Sequence, residues 1–397
     1  MLPTLSPAQE SLRHELRNYF QALMTPELQE ELLLTVGEGG GPLFWIAMEQ
    51  LGRDGWIGLG WPLALGGRGF GPVEQFLFVE EVMRAGFPFP FLTTESVGPE
   101  LAQHASPRLR ELLVPQILSG KLIIAIGYSE PDAGTDLLSL KTSARREGDE
   151  WVINGQKMWT SLAHHAGWVW LAARTNFDPA VKKHARISLF LVPTSAPGFR
   201  CTPVFTLGDV RTNATYYDNV RLPLDHLVGE LDQGMLILFS QLNRERLSLV
   251  NVGAFAALFN DVTRWAMVNK QPDGRRVIDE PWVQMNLARC RVGLEALKLI
   301  CYRQAFAMTE GALRMEDSSA AKVYGTEFFV ELYRRLGEIL GVDGLLHRTS
   351  AGAVLRGRLE TLYRTASIIT FGGGTNELQR DLIARSGLSM PRAKSGK

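Results

Sequence analysis

Cysteine is scarce in this sequence of 397 residues: Cys201, Cys290 and Cys301 stand far apart, with no C-x-x-C pair and no His/Cys cluster. That spacing excludes a disulfide framework and a zinc site of the usual ligand pattern, and it fits a reducing compartment. An excess of either charge is also missing, because 42 Lys and Arg balance 42 Asp and Glu. Without a global field, neither nucleic acid nor an anionic membrane is expected as a partner, and any anion site must be local. Long apolar runs are missing too. The uncharged stretch 247–260 falls short of the roughly 18 residues of a spanning helix, so no integral membrane segment is expected. The N-terminus carries Glu10 and Glu15 in a helical pattern, unlike a signal or transit peptide, and predicts an unprocessed cytoplasmic chain. No fixed-period repeat, P-loop, G-x-S-x-G elbow or H-E-x-x-H is present. Gly66-Gly67-Arg68-Gly69-Phe70-Gly71 resembles a phosphate loop only weakly and reads better as a turn between helices, since no βαβ alternation surrounds it.

What is present is an ordinary globular composition, 45% hydrophobic and 21% charged, in a chain long enough for two or three domains. Up to residue 121 the periodicity is helical: in 72–84, Val73, Phe76, Leu77, Glu80 and Val82 make a mostly apolar face, and 107–119 repeats the theme. From Leu122 the texture changes to short β-branched and aromatic runs (LIIAIGYS, WVINGQKMW, WVWLAAR, ISLFLVPT, ATYYDNVRL) broken by Gly, Asp, Asn and Pro. After Gly229 long helical patterns return over 233–268, 281–309 and 318–340, and such helices pack as a bundle. The fold class is α+β, divided as 1–121, 122–230 and 231–397, without Rossmann alternation.

The β part opens with Tyr128-Ser129-Glu130-Pro131-Asp132-Ala133-Gly134-Thr135-Asp136 and continues to Asn154-Gly155-Gln156-Lys157-Met158-Trp159-Thr160-Ser161. Alone, the first is a polar turn able to bind an anion or a carbonyl-bearing ring. Together the two resemble the acyl-CoA dehydrogenase family. Trp61-Pro62 through Gly66-Gly67, Pro72-Val73-Glu74 and Gly372-Gly373-Gly374-Thr375-Asn376-Glu377-Leu378-Gln379-Arg380 extend the resemblance over essentially the whole chain. It implies an N-terminal helical domain, a central β-barrel-like domain and a C-terminal four-helix bundle. It also implies FAD-dependent α,β-dehydrogenation of an acyl-CoA thioester to the trans-2-enoyl-CoA, in β-oxidation or other lipid breakdown. A base takes the Cα proton while hydride passes from Cβ to flavin N5.

By resemblance, Tyr128 and Ser129 contact the flavin pyrimidine edge, and Trp159, Thr160 and Ser161 lie on its N5/O4 side. Thr135 lies near the phosphates or the CoA chain, and Thr375 and Glu377 belong to the cofactor-binding C-terminal motif, with Gly373 on the substrate side. Plainer readings remain open: Trp159 as a core aromatic between strands, and Ser129 and Ser161 as turn residues.

The commonest family pattern places its catalytic Glu where this sequence has Gly373. A minority, of the isovaleryl-CoA and long-chain type, carries it on an earlier helix, matching Leu242-Asn243-Arg244-Glu245-Arg246-Leu247 here. Helical geometry puts Leu238, Gln241, Leu242, Ser248, Leu249 and Val252 on the face of Glu245. On so apolar a face a carboxylate loses hydration and its pKa rises, which suits a general base. The plainer reading is a surface Glu balanced by Arg244 and Arg246. Resemblance further gives Arg246 to the CoA phosphate and Asn243 to the pantetheine.

The match departs where homo-oligomeric members lend a neighbour the Arg and Gln that bind the FAD pyrophosphate. Asn269 stands in place of the Arg, and Glu338 in place of the Gln, with Lys270, Arg275 and Arg276 as candidate substitutes. These departures resemble subunits of bacterial heteromeric acyl-CoA dehydrogenases acting on steroid and related CoA esters. Expected partners are therefore an acyl-CoA substrate, an electron-transfer flavoprotein, and either copies of this chain or a related subunit in an α2β2 heterotetramer. The alternatives are a non-catalytic or partly catalytic subunit of such a heteromer, or a flavin oxidase of the same fold. No metal is expected.

Overall fold

The apolar runs of 122–230 form one mixed sheet in the computed structural model, which describes residues 4–35 and 38–391, the side chains of 243–249 excepted. Its strands are β1 (Ile124–Gly127), β2 (Ser143–Glu147), β3 (Glu150–Lys157), β4 (Trp168–Arg174), β5 (Ile187–Pro193), β6 (Phe199–Phe205), β7 (Arg211–Pro223) and β8 (Leu227–Val228). They run in the order β6-β7-β3-β2-β4-β5-β8, with β1 alongside β4 in parallel. The inner strands β4 and β5 read as largely apolar stretches without alternation because both of their faces are buried. The solvent-facing β6 alternates instead. β2, the polar run SARRE, lies outside the apolar pattern and is held by antiparallel register to β3 across a tight Gly148-Asp149 turn.

The helices are α1 (Pro7–Leu23), α2 (Pro26–Leu34), α3 (Pro42–Arg53), α4 (Pro72–Ala85), α5 (Gly98–His104), α6 (Pro107–Leu118), α7 (Gly234–Leu249), α8 (Gly253–Val268), α9 (Pro281–Thr309), α10 (Met315–Leu340), α11 (Arg358–Thr365), α12 (Ile368–Phe371) and α13 (Asn376–Leu382). Their starts follow sequence chemistry: proline occupies the first turn of α1, α2, α3, α4, α6 and α9, and Ser6, Thr25 and Ser106 accept a capping N–H.

The chain divides into two compact units. One comprises Met1–Met24, Gly71–Phe89 and Arg246–Lys397; its described core gathers α8, α9, α10 and α11, with Phe76 of α4 packed against it. The other comprises Thr25–Phe70 and Pro90–Glu245, and its core joins α5, α6 and the start of α7 to the sheet through Val97, Leu113, Trp170, Leu189 and Leu238.

The helical pattern of 233–268 is two helices, not one. Between α7 and α8, buried Asn251 turns its side-chain oxygen to the Gly253 N–H at 2.8 Å, offering the backbone an alternative to the helical ladder. Gly253 then packs on the carbonyl of Glu80, where a Cβ has no room. On α4, burial goes further than the apolar face implies: Glu80 and Glu81 are both buried, Glu81 forked by Arg17 at 2.7 and 3.0 Å and Glu80 bonded to Arg84 at 3.0 Å.

Candidate active site

β1 ends at Gly127 and releases the loop 128–136, while β3 ends at Lys157 and releases Met158–Ser161. The two loops are stitched together. The Met158 N–H donates to the Ser129 carbonyl at 2.8 Å, and the fully buried Lys157 ammonium donates to the Tyr128 carbonyl at 2.9 Å and to the Glu130 carboxylate at 2.8 Å. Glu130 in turn accepts the backbone N–H of Lys141 and of Thr142, at 2.6 and 2.8 Å, which ties in the approach to β2. Burial pushes the Lys157 ammonium down to about 8, against the attraction of Glu130. Burial pushes the Glu130 carboxyl up, but the Lys157 charge and the donated hydrogen bonds hold it below its ordinary value, so the pair is ionised at neutral pH.

On this frame Trp159 has a left-handed backbone, φ 64°, and its side chain is 56% exposed. A bulky residue keeps such a conformation only when its surroundings over-determine it. Here the next residue is clamped by Asn213, whose carbonyl accepts the Thr160 N–H at 2.9 Å and whose side-chain amide donates to the Thr160 carbonyl at 3.0 Å. Thr160 itself is fully buried, its hydroxyl 3.2 Å from that of Thr215 and its N–H and carbonyl both engaged by Asn213. Ser161 and Thr135 are exposed, and Ser129 is half-buried. Tyr128 points inward: its hydroxyl donates to Gln241 at 2.7 Å and accepts the indole N–H of Trp170 at 2.9 Å.

Beside this loop lie His164 and His165, ring centroids 3.9 Å apart. Burial, with the positive charges of His165 and Arg211, lowers His164 to about 4. Its 3.7 Å approach to Glu38 is therefore contact of a neutral imidazole with a carboxyl group, itself raised by burial, and not an ion pair at neutral pH.

Within the other unit, the C-terminal motif forms a turn between α12 and α13. Thr375 is the N-cap of α13, accepting the Leu378 N–H at 3.2 Å, and Glu377 is exposed in its first turn, its own backbone N–H holding the carboxyl below the usual range. Gly373 has φ 68° and Gly374 φ 98°. The turn is held from beneath by Lys322, buried in α10, which donates to the carbonyls of Thr370 and Gly374 at 3.0 and 2.7 Å and to the Asn376 side chain at 2.8 Å. Asn243, Glu245 and Arg246 lie outside the described side chains; their backbone continues α7.

Six of the sequence-selected residues, Tyr128, Ser129, Thr135, Trp159, Thr160 and Ser161, thus sit on loops joined by direct hydrogen bonds. Lys157, Glu130, Asn213, Gln241 and Lys322 escaped sequence reasoning, although a lone lysine closing an apolar strand is the kind of position that signals a buried, paired charge.

These loops suit a planar aromatic cofactor, because an exposed indole on an anchored backbone is flanked by hydroxyls and main-chain polar groups. The chain matches three family descriptions in order: "Acyl-CoA dehydrogenase, N-terminal domain" over residues 6–121, "middle domain" over 125–220 and "C-terminal domain" over 232–388. It belongs to the acyl-CoA dehydrogenases, a flavoprotein family of oxidoreductases acting on CH–CH donors. Among its relatives, acyl-CoA dehydrogenase FadE26 of Mycobacterium tuberculosis is 47% identical over 393 residues, 98% of each chain, and FadE29 of the same organism is 41% identical over 99% of each. Two solved structures share the fold over 99% of this chain and 100% of theirs: a chain of the ChsE4-ChsE5 complex from M. tuberculosis (TM-score 0.91, 46% identity) and one of the Tcur3481-Tcur3483 steroid ACAD (TM-score 0.92, 43% identity). Among the described residues no helix is long and apolar enough to cross a membrane, and no His, Cys, Asp or Glu cluster is arranged to hold a metal.

Proposed function

We propose that this chain catalyses α,β-dehydrogenation of an acyl-CoA thioester to the trans-2-enoyl-CoA, with the Glu245 carboxylate accepting the Cα proton. The stitched pair of loops that present Ser129, Trp159 and Ser161 carries this reading. FAD, when bound, supplies the hydride acceptor. The chain's own part is to orient and to move a proton: Trp159 offers a flat face and Ser129 and Ser161 offer hydroxyls, on loops that Tyr128 and Thr160 anchor from within. Thr135 is assigned to the phosphates or the CoA chain, and Thr375 and Glu377 to cofactor contacts. Asn243, Arg246 and Gly373 are assigned to the thioester and CoA. Gly373 carries no carboxylate, so the base has to come from another element, and Glu245 follows two buried residues of its own helix face, Leu238 and Gln241. The domain division 1–121, 122–230 and 231–397 accompanies this assignment, with the working place in the cytoplasm and an electron-transfer flavoprotein as oxidant.

The same reading extends to a heteromer acting on steroid-like acyl-CoA esters. Asn269 turns its side chain back to the Trp265 carbonyl at 2.9 Å, and Glu338 is taken by Arg334 and by Asn286 at 3.1 Å. Arg275 is already paired with Asp273 and Glu280, both at 2.8 Å, and Arg276 with Asp279 at 2.7 Å. Of the candidate cations only Lys270 makes no ion pair among the described residues. A chain so built has little positive charge to lend a partner's pyrophosphate. The named ChsE4-ChsE5 and Tcur3481-Tcur3483 complexes support a related subunit in that place. The test is anaerobic titration of the purified assembly with octanoyl-CoA, isovaleryl-CoA and a steroid side-chain acyl-CoA thioester. Bleaching of an oxidised flavin spectrum by the steroid ester, with slow return in air, is the expected outcome. No bleaching by any thioester refutes the activity, and rapid reoxidation in air points to an oxidase.

A further inference from the structure

We infer that the hydrogen bond between Tyr128 and Gln241 is a positioning bridge, which sets helix α7, and with it the backbone at residue 245, in register with the loop that carries Ser129. The inference rests on the reading of Glu245 as the base. Tyr128 opens that loop directly after β1, yet its side chain leaves the loop and enters the interior. There its hydroxyl meets three elements at once: it belongs to the loop, accepts from the fully buried Trp170 of strand β4 at 2.9 Å, and donates to Gln241 of α7 at 2.7 Å. Gln241 is fully buried and its amide N–H₂ donates to the Ser96 hydroxyl, while Ser96 reaches back to the Gln241 carbonyl at 3.4 Å. The preceding residue, Ser240, donates to the buried Glu100 at 2.6 Å.

Apolar packing alone lets a helix slide or rotate slightly at small cost, whereas a buried hydrogen bond has a narrow optimum in length and angle. A polar network in an apolar interior is costly unless every member meets its partner, so it selects one arrangement of the elements it joins. Residue 245 is one helical turn beyond Gln241, so a shift at Gln241 is transmitted to it almost undiminished. Proton abstraction is sensitive to such shifts, and Tyr128 acts on it through α7 without touching the reacting atoms.

The experiment uses the FAD-loaded assembly and rapid anaerobic mixing with whichever of the three thioesters bleaches wild-type flavin fastest, in unlabelled and 2,2-dideutero form. Wild type, Tyr128→Phe, Gln241→Met, the double variant and Glu245→Gln are compared. Tyr128→Phe should slow flavin reduction by about 10- to 100-fold while FAD content stays near the wild-type value. Its deuterium isotope effect should rise, because a misplaced base makes proton removal more limiting; a merely less stable protein loses active fraction without changing that ratio. The double variant should be no slower than the slower single one, as required if both substitutions break one bridge. Wild-type reduction rates in Tyr128→Phe and Gln241→Met, slowing in proportion to lost FAD with an unchanged isotope effect, or additive losses in the double variant would each overturn the inference. If those results come with an inactive Glu245→Gln, the base stands and only the bridge falls. Wild-type rates in Glu245→Gln remove the base and the bridge's role together.

Discussion

Lys157 and Lys322 are both shut off from solvent, and each donates to main-chain oxygens of a loop in its own unit. Lys157 binds the Tyr128 carbonyl together with the Glu130 carboxylate, and the loops it fastens present Ser129, Trp159 and Ser161. The hydrogen bonds of Lys322 to Thr370, Gly374 and Asn376 run to neutral oxygens, and the turn it fastens runs through Gly372, Gly373 and Gly374, which have no side chain, to Thr375. The same device therefore holds loops that present an indole and hydroxyls and a turn whose three glycines offer only shape. A glycine run held this firmly points to a role in fitting ligand against backbone, and its lack of a carboxylate moves the search for a base to another element.

The comparison breaks most sharply at Glu245. Glu245→Gln should lower turnover by about a hundredfold to ten-thousandfold while FAD stays bound, as loss of a general base does. Stopped-flow flavin reduction measures it, and retention of wild-type turnover would return attention to the Gly373 turn. Placing the carboxylate there instead, in Gly373→Glu with Glu245→Gly, should restore part of the activity, to the extent that the turn has room for a side chain. Next in size is the contrast between the two lysines. Lys157→Met strands the Glu130 carboxylate in the interior and should cost about 3–5 kcal/mol of stability. Lys322→Met removes the donor to the Thr370, Gly374 and Asn376 oxygens and should cost about 1–3 kcal/mol. Denaturant unfolding of both variants gives the difference, and equal losses would remove the distinction drawn between charged and neutral anchoring.

Cofactor loading probes the proposed dependence on a partner. Expressed alone, the chain should bind FAD about one to two powers of ten more weakly than in a complete assembly, the expected effect of one missing charge-assisted hydrogen bond. Native mass measurement with flavin quantification decides it, because a stable homotetramer with one tightly held FAD per chain contradicts the heteromer. The smallest effect concerns His164, whose imidazole takes up a proton near pH 4 in the folded chain but at about 6.5 in the unfolded one. Between those values the unfolded state binds more protons, so stability falls as pH drops from about 6.5 and is unaffected by this group above it. His164→Gln should flatten that part of the thermal-midpoint profile, in a setting where Glu38, His165 and Arg211 face the ring and titrate or stay charged around it.

Much of the architecture was legible because its signals are local. The apolar runs gave β1, β3, β4, β5 and β7 their places, and Pro281–Thr309 appears as one helix with the bounds its periodicity predicts. β2 was not legible, since SARRE owes its strand to register with β3 rather than to any pattern of its own. The break at Asn251 was hidden for a related reason: the apolar periodicity runs on across it, and a tertiary approach at Gly253 decides where the turn falls. At the site, motif resemblance selected Ser129, Trp159 and Ser161 together with the buried Tyr128 and Thr160. It gave no role to the buried anchors Lys157, Glu130, Asn213 and Gln241, whose partners lie tens of residues away in sequence. The inward turn of Tyr128 depends on Trp170 and Gln241 being brought to it, which no local window contains.

The left-handed turn at Trp159 has a thermodynamic consequence for loading. A backbone in that region stores about 1–3 kcal/mol of strain, and the folded chain meets this cost through the Ser129 and Asn213 hydrogen bonds on either side. A backbone fixed in advance beneath the indole leaves less conformational freedom for an arriving ring to freeze, so association loses less entropy than it would against a mobile loop. Trp159→Gly would relax the backbone and delete the indole in one step. Fold stability and cofactor affinity should then move in opposite directions, the first rising slightly as the second collapses.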